Sequence, residues 1–204
     1  MTTQTHYKTC YGLKWMTSRH PAIRRLKRRQ NSNALHGNKT WNASLILVDY
    51  LQQHPLPEQS RVLELGCGWG LSGIYCAKQQ HRVTGLDADN EVFAFLERQA
   101  SLNEVEINTL HQDFSSIRAE QLANIDVLIG SDICFWDQMA EDLFHCLTLA
   151  LASGVKKIII SDPNRPPFLE VAEACINDHF AELIPWQSQA ANRPKGSILL
   201  IENA

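Results

Sequence analysis

A glycine-rich turn is the strongest sign of chemistry in this sequence. A short apolar run over 61–65 predicts a strand, and helical spacing follows over 70–80. Between them stand Gly66, Gly68 and Gly70. Glycines let a backbone approach a ligand closely, and the first turn of a helix offers free N–H groups. The pattern therefore predicts a ligand site at this turn.

Two cofactor classes use a turn of this kind. Gly68, Gly70 and Gly73 fit GxGxxG, the dinucleotide fingerprint. Asp87 stands 19 residues after Gly68. At about this distance, dinucleotide-binding folds have an acid that hydrogen-bonds to the ribose hydroxyls. A dinucleotide also brings a pyrophosphate, which a carboxylate on Glu64 beneath the turn would repel. The acid therefore favours a cationic ligand without phosphate, and a glycine turn that binds no ligand is the remaining interpretation.

Glu64, followed by glycine at 66, 68 and 70, resembles the first motif of the class I S-adenosylmethionine (SAM)-dependent methyltransferases. The resemblance implies SAM as the cofactor and S-adenosyl-L-homocysteine (SAH) as the product. It also implies that Asp87 binds the ribose hydroxyls, that Asp113 accepts from the adenine amino group and that Phe114 packs against the ring. An Asp that starts a turn beside a core Phe is the alternative for the last two. The cofactor-binding residues expected in this way are Trp41, Glu64, Gly66, Cys67, Gly68, Gly70, Asp87, Ala88, Asp113, Phe114 and Ser131.

A second group of side chains follows the fourth predicted strand. Ligands bind at the carboxyl ends of parallel strands, and the side chains found there are Ser131, Asp132, Phe135 and Trp136. We expect catalytic roles for Asp132, which would hold the acceptor or the methionine end of the cofactor, and for Phe135 and Trp136, which would form the wall of the methyl site. An aromatic face also favours a cationic amine. Core packing at the start of a helix is the alternative for the two aromatic residues.

Two further features resemble the small seven-strand protein-lysine methyltransferases, a group that includes nicotinamide N-methyltransferase-like proteins. Trp41 precedes the first motif, and the fourth strand ends in Asp132-Ile133-Cys134-Phe135, where the group often has Asp-x-x-Tyr. Phe135 lacks the hydroxyl that the group usually places at the acceptor channel. The resemblance covers residues 36–202. It implies methyl transfer to nitrogen, with a protein lysine as the preferred acceptor and a small-molecule amine or an RNA base as alternatives.

The fifth predicted strand is followed by Arg165, Pro166, Pro167 and Phe168. The last three resemble a loop of amino-methylating enzymes, but in those enzymes the loop follows the fourth strand. We interpret the proline pair as the opening of a helix. Arg165 is expected to face an acidic group of the substrate.

Short apolar runs alternate with helical stretches from residue 61 onward. This predicts an α/β fold with a doubly wound, Rossmann-like seven-stranded sheet, mostly parallel, with the last strand antiparallel and helices on both faces. The predicted strands are 61–65, 82–86, 106–110, 126–130, 157–161, 182–186 and 197–201. The predicted helices are 41–51, 70–80, 90–102, 137–152 and 167–179, with a weaker one near 117–123.

Charge is divided unevenly along the chain. Its 204 residues contain 19 Lys and Arg against 22 Asp and Glu, yet nine of the basic residues and none of the acids precede Asp49. The remainder therefore sums to −12. We expect a basic N-terminal arm over 1–35, with a short helix over 20–30, and a SAM-dependent methyltransferase domain over 36–204.

Three interpretations of the basic arm remain open. It is a solvated tail, a surface for an acidic protein partner or substrate, or a surface for RNA phosphates. Few aromatic residues interleave with its basic ones, so support for base stacking is weak. A protein substrate is the expected partner and RNA the alternative. From another class of protein, a non-catalytic binding module with a nucleotide fold would act through this arm.

Several classes of protein are disfavoured by what the sequence lacks. No apolar run approaches the ~18 residues of a membrane span, and the start has no apolar signal region. An acid-free, Arg-rich start does resemble a mitochondrial transit peptide in composition. Six scattered cysteines without a CxxC pair are most simply reduced thiols, and no Cys/His spacing supports a metal. We therefore expect a cytoplasmic protein with no metal and no membrane partner.

Overall fold

The strands of the protein form two sheets. A computed structural model describes residues 6–29 and 42–203. The strands are β1 (Tyr7–Cys10), β2 (Leu13–Met16), β3 (Arg61–Leu65), β4 (Arg82–Asp87), β5 (Asn108–His111), β6 (Val127–Ser131), β7 (Lys157–Asp162), β8 (Glu182–Gln187) and β9 (Lys195–Glu202). The first two form a hairpin, and the other seven form one sheet in the order β5-β4-β3-β6-β7-β9-β8.

The larger sheet confirms the predicted fold. Its five strands from β5 to β7 pair in parallel, and β9 lies antiparallel to both β7 and β8. The third predicted strand, 106–110, is wrong by two residues at its start. It begins at Asn108 because pairing with β4 begins there, opposite Thr84. The predicted helix start at Trp41 lies outside the described residues.

Seven α-helices are described in residues 6–29 and 42–203. They are α1 (Pro21–Arg29), α2 (Asn42–Gln53), α3 (Leu71–Lys78), α4 (Phe93–Leu102), α5 (Ala119–Leu122), α6 (Asp137–Ala152) and α7 (Pro166–His179). Helix α7 opens on its two prolines, in agreement with the interpretation of the proline pair. None of the helices in these two ranges is long and apolar enough to cross a membrane.

Alternate residues of the central strands face two different cores. In β6, Val127 and Ile129 pack in the core that contains residues of α2 and α3. Leu128 packs in the core that contains residues of α6 and α7. A parallel strand buried on both faces needs an apolar side chain at every position. Helices cover both faces of the sheet, and this is why the apolar runs in the sequence are continuous.

The hairpin packs against α4, whose side-chain amides take the place of a neighbouring strand. Met16 N donates to Gln99 Oε1 at 2.8 Å, and Gln99 Nε2 donates to the Met16 carbonyl at 3.0 Å. One turn along the helix, Asn103 exchanges the same two hydrogen bonds with the backbone of Lys14, at 3.0 and 2.7 Å. The outer edge of β2 thus finds the partners that an edge strand requires.

A buried carboxylate at Asp49 fastens the hairpin at a second point. Tyr11 Oη donates to Asp49 Oδ1 at 2.5 Å, and Trp186 Nε1 donates to Asp49 Oδ2 at 2.8 Å. The Gln189 N–H adds a third hydrogen bond at 3.1 Å. Burial, together with the bond to Asp49, raises the pKa of Tyr11 to about 12. The first acid of the chain therefore joins the hairpin, α2 and the β8–β9 connection.

The N-terminal segment is thus part of the folded unit wherever it is described. Three of the four residues of β2 are buried, so the interpretation as a solvated tail is wrong for the hairpin. The two strands of the hairpin are absent from the strands predicted from the sequence. The proposed division between residues 35 and 36 lies outside the described residues and stays a prediction.

Truncation of a buried hairpin residue is expected to destabilise the whole protein. Leu13 is 1% exposed, so Leu13→Ala should lower the free energy of unfolding by about 2–5 kcal/mol. Lys8→Ala, at an exposed position of β1, is the matched control and should change it by less than about 0.5 kcal/mol. Urea unfolding followed by tryptophan fluorescence measures both, and equal midpoints for the two variants would contradict the integral role of the hairpin.

Candidate functional site

A cavity of about 300 Å³ opens at the carboxyl ends of β3, β4 and β6. The structure brings together thirteen of the predicted site residues on its wall, and Trp41 lies outside the described residues. The thirteen are Glu64, Gly66, Cys67, Gly68, Gly70, Asp87, Ala88, Asp113, Phe114, Ser131, Asp132, Phe135 and Trp136. Their individual roles stay predictions.

The glycine turn is shaped by packing on two sides and is open on the third. Gly66, Gly68 and Gly70 all have positive φ, of 56°, 51° and 72°. A Cβ on Gly66 would lie 2.7 Å from Ile133, and one on Gly70 would lie 2.6 Å from Leu96. A Cβ on Gly68 would meet nothing within 4 Å. The middle glycine is therefore the position at which the backbone is exposed to a ligand.

Glu64 closes the turn from below. Its Oε2 accepts from the Gly73 N–H at 3.0 Å, which ties the end of β3 to the first turn of α3. Burial is the main cause that raises the pKa of Glu64 to about 8. A Cβ on Gly73 would lie 2.5 Å from the same oxygen. The third glycine of the apparent dinucleotide fingerprint is thus required by the carboxyl group, independently of any dinucleotide.

The carboxylate of Asp87 is held at the cavity by two backbone donors. Asp87 Oδ2 accepts from Gly68 N, and Asp87 Oδ1 accepts from Asp89 N, both at 2.9 Å. Asp113 is fixed in a similar way, since its Oδ1 accepts from Ser115 N at 2.9 Å. Each carboxylate keeps free lone pairs for a ligand.

Asp132 marks the other end of the cavity. It is 5% exposed, has a φ of 60°, and contacts the guanidinium of Arg165. The same guanidinium lies 3.1 Å from Asp162 Oδ2, and its carbon lies 4.6 Å from the centre of the Phe135 ring. The expectation that Arg165 faces an acidic substrate group is therefore wrong for this structure. Two buried carboxylates need a charged partner, and Arg165 supplies it.

The two aromatic residues after β6 differ in exposure. Trp136 is 59% exposed, so the alternative of core packing is wrong for this residue. Phe135 is half-buried on the wall of the cavity. The cavity therefore has an exposed aromatic side chain next to its acidic end.

Charge on the cavity wall has one sign. Five carboxyl groups line it, and among the described lining residues there is no Lys, Arg or His. A phosphate would be repelled by such a wall, whereas a cationic ligand would be attracted. The carboxyl groups are Glu64, Asp87, Asp89, Asp113 and Asp132.

Seven lining residues were not found by sequence reasoning. Six of them are close neighbours in the chain of predicted residues, so the motifs themselves were a signal. Ser44 on α2 had none, because nothing local shows that the start of this helix reaches the cavity. The seven are Ser44, Trp69, Leu71, Leu86, Asp89, Ile133 and Met139.

The sequence model of a family described as lysine methyltransferase matches residues 22–173, which is more than half of the chain. The chain belongs to the lysine methyltransferase family. Membership confirms the resemblance found in the sequence. It also confirms methyl transfer and the use of SAM as properties of the family.

Curated relatives support the same family. The chain is 33% identical over 129 residues to protein N-lysine methyltransferase METTL21A of Xenopus tropicalis, a match that covers 59% of this chain and 58% of the relative. It is 35% identical over 133 residues to the histidine protein methyltransferase 1 homolog of Dictyostelium discoideum, covering 61% and 42%. The chain thus spans about half the length of these curated relatives.

Solved structures of proteins with lower sequence identity share the fold of this chain. The 16S rRNA N2 G1207 methyltransferase RsmC of T. thermophilus, in complex with AdoMet and guanosine, has a TM-score of 0.62 and 20% identity over 83% of this chain and 45% of that one. The SAM-dependent methyltransferase of Agrobacterium tumefaciens has a TM-score of 0.65 and 11% identity over 97% and 70%. At these identities the likeness concerns the fold alone.

The protonation of Glu64 predicts a pH dependence of stability. The folded chain holds this proton up to about pH 8, whereas the unfolded chain releases it near pH 4.5. Unfolding therefore releases a proton between these values, and the free energy of unfolding falls as the pH rises across the window. Glu64→Gln, which imitates the protonated form, should match the wild type at pH 5 and be more stable than it at pH 8.

Urea unfolding at pH 5, 6, 7 and 8 measures this difference. Glu58→Gln, at an exposed position, is the control and should follow the wild type at every pH. A constant difference between Glu64→Gln and the wild type across the series would show that Glu64 is ionised in the folded protein.

Proposed function

We propose that this protein is a SAM-dependent methyltransferase that transfers a methyl group to a nitrogen atom, namely that of a protein lysine side chain. The observation that carries the proposal is the cavity wall with five carboxyl groups and no basic side chain among its described residues. It stands at the ligand-binding edge of a doubly wound sheet, in a member of the lysine methyltransferase family.

The residues on the wall fit SAM. When bound, SAM supplies a methyl group on a positively charged sulfur, which makes a good leaving group. The open backbone at Gly68 allows close approach, and the carboxylate of Asp87 would accept from two ribose hydroxyls. Asp113 would accept from the adenine amino group, and Phe114 would pack against the ring. Ser131, Cys67 and Ala88 complete the proposed binding wall.

The acidic end of the cavity would receive the acceptor. Asp132 is the proposed catalytic residue that orients the nitrogen, and Phe135 and Trp136 would exclude water from the methyl site. Because Trp136 is exposed, a side chain of another protein can contact it as that side chain enters the cavity. Phe135 has no hydroxyl, so it cannot orient the acceptor through a hydrogen bond as a tyrosine would.

Helix α1 offers a surface for the rest of a protein substrate. The basic surface, as we name it, consists of the exposed residues Arg24, Arg25, Arg28 and Arg29. None of them forms an ion pair with another residue in 6–29 or 42–203. Ile23, on the inner face of α1, packs in one cluster with the cavity residue Trp69. We propose that the basic surface binds an acidic segment of the substrate protein, with RNA as the alternative.

A cytoplasmic location is part of the proposal. The structure contains six free cysteines, five of them buried, and no disulfide among its described residues. Free thiols of this number are typical of a reducing compartment.

Removal of the Asp87 carboxylate should weaken the binding of SAM. Hydrogen bonds to a charged group contribute about 1.5–3 kcal/mol, so Asp87→Ala should raise the Kd about ten- to hundredfold. Titration calorimetry measures the change. Asp178→Ala, at an exposed position of α7, should leave the Kd within about twofold of the wild type. Unchanged affinity in Asp87→Ala would refute the role of this residue at the ribose.

Incubation of the protein with radiolabelled SAM and a cell extract tests the acceptor. We expect label in a fraction that protease destroys and nuclease leaves intact, and methyl-lysine after acid hydrolysis of that fraction. Asp132→Asn should still bind SAM in calorimetry. Its labelling rate should fall at least tenfold, because it lacks the carboxylate that is proposed to orient the acceptor nitrogen. Label that nuclease removes would assign an RNA acceptor instead.

The same assay tests the basic surface. A variant with all four arginines changed to glutamine should label protein several-fold less at low salt, with the difference shrinking in ~0.5 M salt as charges are screened. Its SAM affinity should equal that of the wild type. Equal labelling by the variant and the wild type at low salt would exclude a substrate-binding role for this surface.

A further inference from the structure

Arg165 joins two carboxylates at the acceptor end of the cavity. Its Nη1 contacts Asp132 Oδ1 and lies 3.1 Å from Asp162 Oδ2, and its backbone N–H donates to Asp162 Oδ1 at 2.7 Å. Asp162 is 1% exposed. The guanidinium also lies over the face of Phe135, with its carbon 4.6 Å from the ring centre. Arg165 therefore occupies the two carboxylates and the aromatic face. Without it, these groups would attract a cationic amine.

Arg165 does not belong to the described lining of the cavity, whereas Asp132 and Phe135 do. It therefore acts on a ligand through these two residues. The other ionisable groups on the described wall are the carboxyls of Glu64, which is protonated near neutral pH, and of Asp87, Asp89 and Asp113. Arg165 is the cation that the structure places against Asp132.

The protonation of the acceptor decides the reaction. The nitrogen lone pair forms the new N–C bond while the S–C bond breaks and its electron pair stays on sulfur. A lysine must therefore lose its proton to solvent before it can react. Carboxylates near an amine favour its charged form, and a nearby cation favours the neutral form. A site with Asp132 alone would hold the lysine in the unreactive state.

We propose that Arg165 is a positioning residue that offsets part of the negative charge of Asp132 and Asp162, so that the substrate lysine occupies the acceptor site as a free amine. This inference rests on the proposed function. Burial raises the pKa of Asp162 to about 6, and Arg165 lies against this carboxyl and that of Asp132. Because arginine does not deprotonate in this range, its charge is constant while the acceptor titrates.

Sinefungin tests the proposal without knowledge of the substrate protein. This SAM analogue carries a primary amine in place of the transferable methyl group, whereas SAH carries neither. The ratio of their affinities isolates the contribution of an amine at the methyl site. Removal of one positive charge should favour the ammonium by about one pKa unit. Arg165→Gln should therefore raise the sinefungin-to-SAH affinity ratio about tenfold at pH 7, measured by calorimetry.

Two variants control the measurement. Arg165→Lys keeps the positive charge and should leave the ratio within about twofold of the wild type. Asp162→Asn added to Arg165→Gln removes a negative charge and should bring the ratio back toward the wild-type value. A purely structural role of Arg165 would change the affinities of both ligands by the same factor and leave the ratio unchanged.

The possible outcomes separate this inference from the proposed function. If SAH binds and the ratio in Arg165→Gln is unchanged or lower, the role of Arg165 is refuted and the proposed function stands. If SAH fails to bind the wild-type protein at ~100 µM, the proposed function is refuted, and this inference with it. In the assay with radiolabelled SAM and a cell extract, Arg165→Gln should also need a pH about one unit higher to reach half of its maximal rate.

Discussion

The hydrogen bond from the Gly73 N–H to the buried Glu64 carboxyl is the interaction on which the site depends. It fixes the direction in which the chain leaves β3 and enters α3, at 3.0 Å. The turn between them can then lie against Ile133 on one side and Leu96 on the other. Its remaining side is open to the cavity. A buried acid with a pKa near 8 is neutral near pH 7, which avoids the cost of a buried charge, and the charged carboxylates lie at the rim of the cavity.

Most of the cavity wall could be predicted because its residues directly follow the strands that hold them. In a doubly wound sheet the carboxyl ends of neighbouring strands meet at one edge. Asp87 ends β4 and Asp132 directly follows β6, so both acids lie at this edge of the sheet. Sequence distance has no influence on this proximity. The motif thus predicts a site whenever the strands themselves are recognised, and buried parallel strands are recognised by their continuous apolar runs.

The hairpin could not be predicted in the same way. Its strands have four residues each, too few for a clear alternation of apolar and polar positions. Their edge is completed by the side-chain amides of Gln99 and Asn103, which stand more than 80 residues later in the chain. No local pattern shows that two polar residues on a helix serve as a strand partner. The basic residues of the segment drew attention to its charge, while its stability comes from Leu13, Trp15 and Met16.

The contact between Arg165 and Asp132 could not be predicted for a related reason. It is a contact between two side chains that follow different strands, β6 and β7, and no local pattern indicates it. It also gives a physical meaning to Phe135. An aromatic ring binds a cation with its face, and here the face lies 4.6 Å from the guanidinium carbon of Arg165. The ring of Phe135 thus contacts the same cation that pairs with Asp132. A tyrosine ring at this position would offer the same face to the guanidinium, so the contact depends on the ring and leaves the hydroxyl unused. Next to Asp132 the cavity thus ends in an ion pair within the chain, with the ring of Phe135 lying against it.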